Sequence, residues 1–334
     1  DDRLKVCAIN LDQGISIVDR IGANVETAGA ITVPARELSE IVAILPPERV
    51  DLDLDPKTQT LTIKCAGRAS NKLKGIEADQ FPQLPEADGE PGMAIPADVF
   101  QDMINQVVFA AAKEETRPIL MGILTKFDSD RISLISADGF RMALRTAEMT
   151  TSVDQAISLV IPAKTLTEIA RIAPGEDNLV MFSISANRSQ VLFHIGDVDI
   201  VSQIIDGKFP DYERVIPQGH PKLVKASRLG LLQSLQRAAI LTNEKFRGVR
   251  LMLSEGSLKL VSTNAEQEEA LEELEVDYSG DSLDIGFNVT YLLDVLTNVS
   301  ANEIEIRFND GNASALFGLA ENADFKYVVM PMRI

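Results

Sequence analysis

Apolar residues recur at helical spacing in three separated stretches of this chain. In "ITVPARELSEIVAILPPE" the positions are Leu38, Ile41, Val42 and Leu45, in "LVIPAKTLTEIARIAPGE" Leu166, Ile169, Ala170 and Ala173, and in "IGFNVTYLLDVLTNVSAN" Leu292, Val295, Leu296 and Val299. Each set follows i, i+3, i+4, i+7 and predicts a short amphipathic helix. Leu38, Leu166 and Leu292 stand 128 and 126 residues apart. Strand-like alternation gives the same offsets, because Leu4 and Val6 in "DDRLKV" match Ile132 and Leu134 in "SDRISL" and Leu258 and Leu260 in "EGSLKL". Two element types in one register mark a chain of modules, each about 127 residues long.

Each complete module divides into two halves, a helix followed by alternating strands. In the second module "IPADVFQDMINQVVFAAA" leads to the strands "ILMGILTKF" and "RISLISA", and "IPAKTLTEIARI" leads to "NLVMFSIS", "QVLFHIG" and "DIVSQIID". Helices interleaved with hairpin-linked strands predict an α+β fold of tandem modules, each with two helices packed on antiparallel sheets. Pro and Gly cluster in "PEADGEPG" and "IPQGHPK", so the boundaries are read as 1–90, 91–217 and 218–334. The opening "DDRLKVCAINLDQG" reads as a strand already under way. The half-module beginning near Ile95 has its counterpart about 34 residues ahead of Asp1; a first module without those residues is expected to carry an unpaired edge and to be the least stable.

Composition narrows the function. Lys and Arg number 32 against 50 Asp and Glu, a net charge of −18. Such a chain repels nucleic acid at long range unless its basic residues gather on one surface. It fits a protein that surrounds DNA without gripping it, or a repeat-built interaction scaffold with no DNA inside. The two cysteines, Cys7 and Cys65, lie in strand-like runs and read as buried reduced thiols. No window reaches the roughly 18 apolar residues of a membrane helix, and the chain is read as cytoplasmic, with no membrane partner.

Catalytic readings rank last. His194 lies in a strand and His220 in a linker, with no phosphate-loop, nucleophile-elbow or zinc motif beside either. Asp51, Asp53 and Asp55 alternate, but Pro56 and Thr62 occupy the places where a calcium loop needs Gly and Glu, so this is read as a strand with an acidic face. The run "EQEEALEELEVD", with Glu266, Glu268 and Glu269, is read as an acidic sheet edge. The basic "GRASNKLKG", with Arg68, Lys72 and Lys74, is its complement, and pairing of the last module's edge with the first module's edge would close a head-to-tail ring.

Four stretches, "DGKFPDYERVIP", "AAILTNEKFRGVRL", "IGFNVTYLLDVL" and "YVVMPMRI", together resemble the bacterial DNA polymerase III beta subunits, the sliding clamps. The resemblance implies three similar domains per chain, two chains closing head to tail around duplex DNA, no cofactor and no catalysis. It also implies a peptide pocket between the second and third domains, serving the replicative polymerase, the clamp loader and repair polymerases. On the second-domain side the matching positions are Leu120, Gly139, Phe140, Arg141 and Met142, followed by Pro210, Arg214 and Val215. On the third-domain side they are Asn288, Tyr291 and Ser314, then Val328, Met330, Pro331, Met332 and Arg333. Unbranched Met142, Met330 and Met332 suit a site that accepts different peptides. Phe140 stands where many clamps have His, and Met142 and Ile334 where many have Leu.

The same resemblance assigns Ile240 and Leu241 to an apolar surface meeting the neighbouring chain. Leu73 is the main apolar residue of the receiving edge, and Asn71 beside it implies a more polar seam than average. For DNA it implies a topological hold by a ring lined with Lys164, Arg171, Arg228, Arg237, Lys245 and Arg247, and with Lys113 and Arg117 near the pocket. Contacts through such residues are sequence-independent, which reconciles DNA with an acidic chain.

Overall fold

The structure, a computed structural model, describes residues 2–67, 69–84, 92–172 and 178–334. They fall in two compact units. One comprises Asp1–Asp88 with Asp197–Val201, and the other Gly89–Gly196 with Ser202–Ile334. The second unit therefore holds the two complete sequence modules, apart from Asp197–Val201, as a single body.

In the first unit the strand Arg3–Asn10 pairs antiparallel with Ile15–Gly22, through a turn in which Asn10 Oδ1 accepts from the Gln13 amide at 3.1 Å. Arg3 and Arg20 pair with Asp197 and Asp199 at 2.8 and 2.7 Å. A three-stranded sheet runs Val50–Asp55, Thr60–Cys65, Ala69–Lys74. Its Ile63 and Cys65 are buried, whereas Cys7 is only half-buried. Helix α1 (Ala35–Ile44) covers the expected segment but buries none of its residues. Leu4 and Val6 are likewise exposed, while their counterparts Ile132, Leu134, Leu258 and Leu260 are core. The periodicity is the same in all three modules, but among the described residues only two of them pair the helix with a second one.

In the second unit each module has a helix pair. Helices α2 (Ala97–Val107) and α3 (Ala163–Ile172) pack together, with Phe100, Ile104, Leu166 and Ile169 sealed from solvent. Phe100 and Phe127 meet Phe182 edge to face, with ring centroids 5.1 and 5.4 Å apart. Helices α4 (Arg228–Ile240) and α5 (Val289–Asn298) form the second pair, capped at their starts by the side chains of Ser227 and Asn288. Both cap oxygens accept a backbone N–H that has no partner within the helix. Residue Ala173 of the predicted helical pattern and most of the "PEADGEPG" break lie outside the described residues.

Of the stretches expected as strands "ILMGILTKF" and "RISLISA", Ile119–Met121 fall in a 3-10 turn (Pro118–Met121), and the rest joins into one continuous strand, Gly122–Ala137. Ser129, at φ 54°, marks the irregularity against its partner Arg141–Pro162, and the register shifts there instead of breaking. A bulge of this kind bends a strand without ending its ladder. These two strands belong to a six-stranded sheet in the order Lys222–Ser227, Glu303–Phe308, Ala315–Leu319, Asn322–Val329, Arg141–Pro162, Gly122–Ala137. One sheet thus runs through both modules. A separate four-stranded sheet runs Glu269–Glu275, Ser257–Thr263, Gly248–Ser254, Leu283–Asn288.

Candidate functional site

The junction of the two modules is a β-ladder. Arg141, Met142 and Ala143 face Val329, Val328 and Tyr327, and the register continues to Arg145 opposite Phe325. The chain enters this ladder through a turn set by Asp138, whose Oδ1 accepts the amides of Phe140 and Arg141 at 2.9 and 3.0 Å. Gly139 sits in that turn at φ 96°, a conformation side chains disfavour. The Phe140 carbonyl then accepts the Met330 amide at 2.9 Å and extends the seam by one bond.

Arg141 is buried at this seam and serves both sides of it. Its Nε donates to Asp138 at 3.0 Å, Nη1 to Asp294 of α5 at 2.5 Å, and Nη2 to the Phe109 carbonyl at 2.8 Å. The guanidinium also lies 4.4 Å from the Tyr291 ring centroid and 5.6 Å from that of Phe109. Burial works against its charge, but the Tyr327 hydroxyl and the Asp294 carboxylate outweigh it, so its pKa is raised and the group stays charged. Burial also pushes the Tyr327 hydroxyl up. That hydroxyl donates to the Tyr291 carbonyl at 2.9 Å.

Beside this polar hub lies an apolar cluster drawn from both modules. Leu120, Met142 and Val328, three of the expected pocket residues, are fully packed with Leu124, Ile135, Val160 and Phe209. Tyr212 packs against the cluster, and Lys126 donates to its hydroxyl at 3.2 Å. Phe140, Val215 and Met330 are large apolar residues left exposed, while Arg214 is exposed and paired with Asp211 at 2.8 Å. Pro210 is exposed in the segment after Phe209. The seam thus combines a buried apolar cluster shared by both modules with exposed apolar side chains at Phe140, Val215 and Met330, the kind of surface that suits a peptide's apolar side chains.

The remaining expected residues divide by role. Asn288 caps α5 by accepting from the Thr290 amide at 2.9 Å, and the Ser314 carbonyl lies 3.3 Å from His220 Nε2. Pro331 and Met332 are half-buried and Arg333 exposed in the strap formed by residues 330–334. The Met332 amide donates to the Gly286 carbonyl at 2.8 Å.

Several expected DNA-facing residues already carry structural work. Arg228 donates to the Leu296 and Ala301 carbonyls at 2.8 and 2.7 Å, where a cation meets the negative end of α5. Arg237 forks onto Glu272 at 2.9 and 2.6 Å, and this hydrogen bond lowers the pKa of Glu272. Arg247 donates to the Ala239 carbonyl at 3.2 Å, and Arg171 pairs with Glu168 at 2.9 Å. Lys113, Arg117, Lys164 and Lys245 are exposed.

Both sheet edges expected at the chain-to-chain contact are edges. Ala69–Lys74 ends its three-stranded sheet and Glu269–Glu275 ends its four-stranded one. Lys72 points to solvent, Lys74 donates to Thr58 and Thr60, and Leu73 pairs opposite Leu61 on the inner face. Ile240 is largely exposed and Leu241 half-buried, while Glu266, Glu268 and Glu269 are exposed. Arg68 lies outside the described residues.

Sequence reasoning missed Asp294, Phe109, Tyr327, Phe209 and Tyr212. Asp294 had a signal, being the one charged residue of α5, and a lone carboxylate among apolar neighbours calls for a cation.

Three family models match in order. They are the DNA polymerase III beta subunit N-terminal domain at residues 1–85, its central domain at 94–211 and its C-terminal domain at 213–333. The beta sliding clamp of Pseudomonas putida is 39% identical over 306 residues, covering 92% of this chain and 82% of that protein. The beta sliding clamp of Escherichia coli K12 is 36% identical over the same coverage. A crystal structure of the DNA polymerase III subunit beta from Pseudomonas aeruginosa superposes with a TM-score of 0.90 at 36% identity, covering all of this chain and 90% of that one.

Proposed function

Because the chain belongs to the DNA polymerase III beta-subunit family, the sliding clamps, we propose how its parts divide that family's work. The chain is a DNA sliding clamp, a processivity subunit of a replicative polymerase. Residues 1–90, 91–217 and 218–334 act as its three domains, and two copies close head to tail around duplex DNA in the cytoplasm. The acidic edge Glu269–Glu275 of one copy meets the basic edge Ala69–Lys74 of the next, with exposed Ile240 beside it. The protein performs no catalysis. It holds DNA by enclosure, through exposed Lys113, Arg117, Lys164 and Lys245, so low affinity and long residence are compatible.

The peptide site is the seam between the second and third domains, where the polymerase, the clamp loader and repair polymerases dock in turn. What supports this reading is the shared apolar cluster, with Leu120 and Met142 from one domain and Val328 from the other, together with the exposed apolar side chains of Phe140, Val215 and Met330 on the segments that make the seam. The methionine methyl groups give the test. On addition of the polymerase subunit, the methyl resonances of Met142, Met330 and Met332 should shift while the other six of the nine methionines hold still. Shifts confined to methionines away from the seam would overturn the assignment.

A further inference from the structure

The strap 330–334 ends on a pair of glycines that the backbone itself does not require. Gly248 opens the strand Gly248–Ser254 and Gly286 lies inside Leu283–Asn288, and neither is among the positive-φ glycines. Glycine weakens a strand interior, and where no left-handed conformation demands it, it marks a place where another backbone passes close by. At Gly286 that backbone is the strap, and at Gly248 the close neighbour is the strap's Ile334 side chain. A methyl group on Gly286 would lie 2.6 Å from the Met332 carbonyl oxygen and 2.7 Å from Ile334 Cδ1, and one on Gly248 would lie 3.1 Å from the same Cδ1. Register places Gly248 opposite Asn288 and Gly286 opposite Arg250, so both glycines share the sheet's outer face. On that face Arg250 pairs with Asp284 beside the slot.

We infer that Gly248 and Gly286 are positioning residues for the peptide site, forming the floor of a slot that holds the far end of the strap and so sets where Met330 and Pro331 stand at its rim. The strap is anchored at both ends. The Met330 amide bonds to the Phe140 carbonyl at 2.9 Å and the Met332 amide to the Gly286 carbonyl at 2.8 Å, with the Ile334 side chain seated over both glycines. Rim residues on a two-point strap are pre-ordered, so a bound peptide does not meet the cost of ordering them. Releasing the far anchor returns that cost to the binding step. The inference rests on the reading of the seam as a peptide site.

The experiment separates the two. Hydrogen exchange at the Met332 amide reports the slot directly, whatever binds at the seam. Peptide affinity is read with the tightest wild-type binder from a panel of labelled decapeptides carrying aliphatic and aromatic residues in their last five positions. In G286A, Met332 exchange should quicken and peptide affinity fall, each by about tenfold, the equivalent of one hydrogen bond and its packing. I334G, which empties the slot without touching the sheet, should move both in the same direction by less, and neither variant should lower the melting temperature as a core substitution does. Unchanged Met332 exchange in G286A would overturn the slot. Faster exchange with unchanged affinity would overturn the positioning role. A panel in which no peptide binds wild-type protein would overturn the peptide reading of the seam and the positioning role with it, while exchange still decides whether the glycines hold the strap.

Discussion

The guanidinium of Arg141 lies 2.5 Å from the carboxylate of Asp294, a residue 153 positions away in the other module of the same unit. Asp138 accepts from its Nε and the Phe109 carbonyl from its Nη2, so acceptors on several elements share the charge. Removing one partner of a buried pair strands the other. Arg141→Ala should therefore cost about 3 kcal/mol of unfolding free energy, read by urea denaturation. Arg141→Lys should recover little of it, because an ammonium cannot serve three divergent acceptors from one plane. Full stability in either variant would show that the seam is held by its ladder and apolar cluster alone.

Asp102 on α2 gives a pH dependence of opposite sense to an ordinary ion pair. Burial raises its pKa, with Arg145 only partly opposing. A carboxyl whose folded pKa lies above its unfolded value binds its proton more tightly when folded, so it lowers stability once ionised and stops doing so as pH falls. Asp102→Asn keeps an oxygen for the Gln106 side-chain amide, which donates to Asp102 at 2.8 Å. The variant should be more stable than the parent above the raised pKa, with the gap closing in acid. Melting temperatures of both proteins from pH 3.5 to 8 check this.

Met142 sits in the seam cluster, 1% exposed. Met142→Leu conserves volume and should cost less than about 1.5 kcal/mol while changing the order of preference among peptides. Met142→Ala opens a cavity and should cost about 2–5 kcal/mol. Denaturant midpoints and a peptide panel measured on the same samples separate packing from recognition.

Deleting residues 330–334 should abolish peptide and polymerase binding while leaving the oligomer's size, measured by light scattering, as it was. The deletion removes the exposed Met330 and the strap but leaves Val328 and the ladder in place. Loss of the oligomer would assign the strap to assembly instead.

What the sequence made legible follows from local physics. The spacing of Leu166 and Ile169, and of Leu292 and Leu296, placed α3 and α5 because a helix's buried stripe is a property of neighbours in sequence. The ladder between Arg141–Arg145 and Phe325–Val329 was invisible, since alternation announces a strand without naming its partner. The resemblance points to Arg141 as a site residue, yet its burial depends on Phe109, Tyr291, Asp294 and Tyr327 arriving from different elements. The charge pattern marks Arg228 and Arg237 as phosphate-facing candidates, and composition cannot reveal that the Leu296 and Ala301 carbonyls and Glu272 already engage them. The exposure of α1 shows the same thing in reverse, since its apolar spacing is as regular as that of α3 but no second helix packs on it among the described residues.

Retention on DNA of different topology tests the central claim most directly. The full-length protein, placed on nicked circular duplex by its clamp loader and then filtered from free protein, should stay with the circles and be lost within minutes of linearisation by a restriction enzyme. Equal retention on circles and linear DNA, or none on either, would contradict a clamp that holds DNA by encircling it.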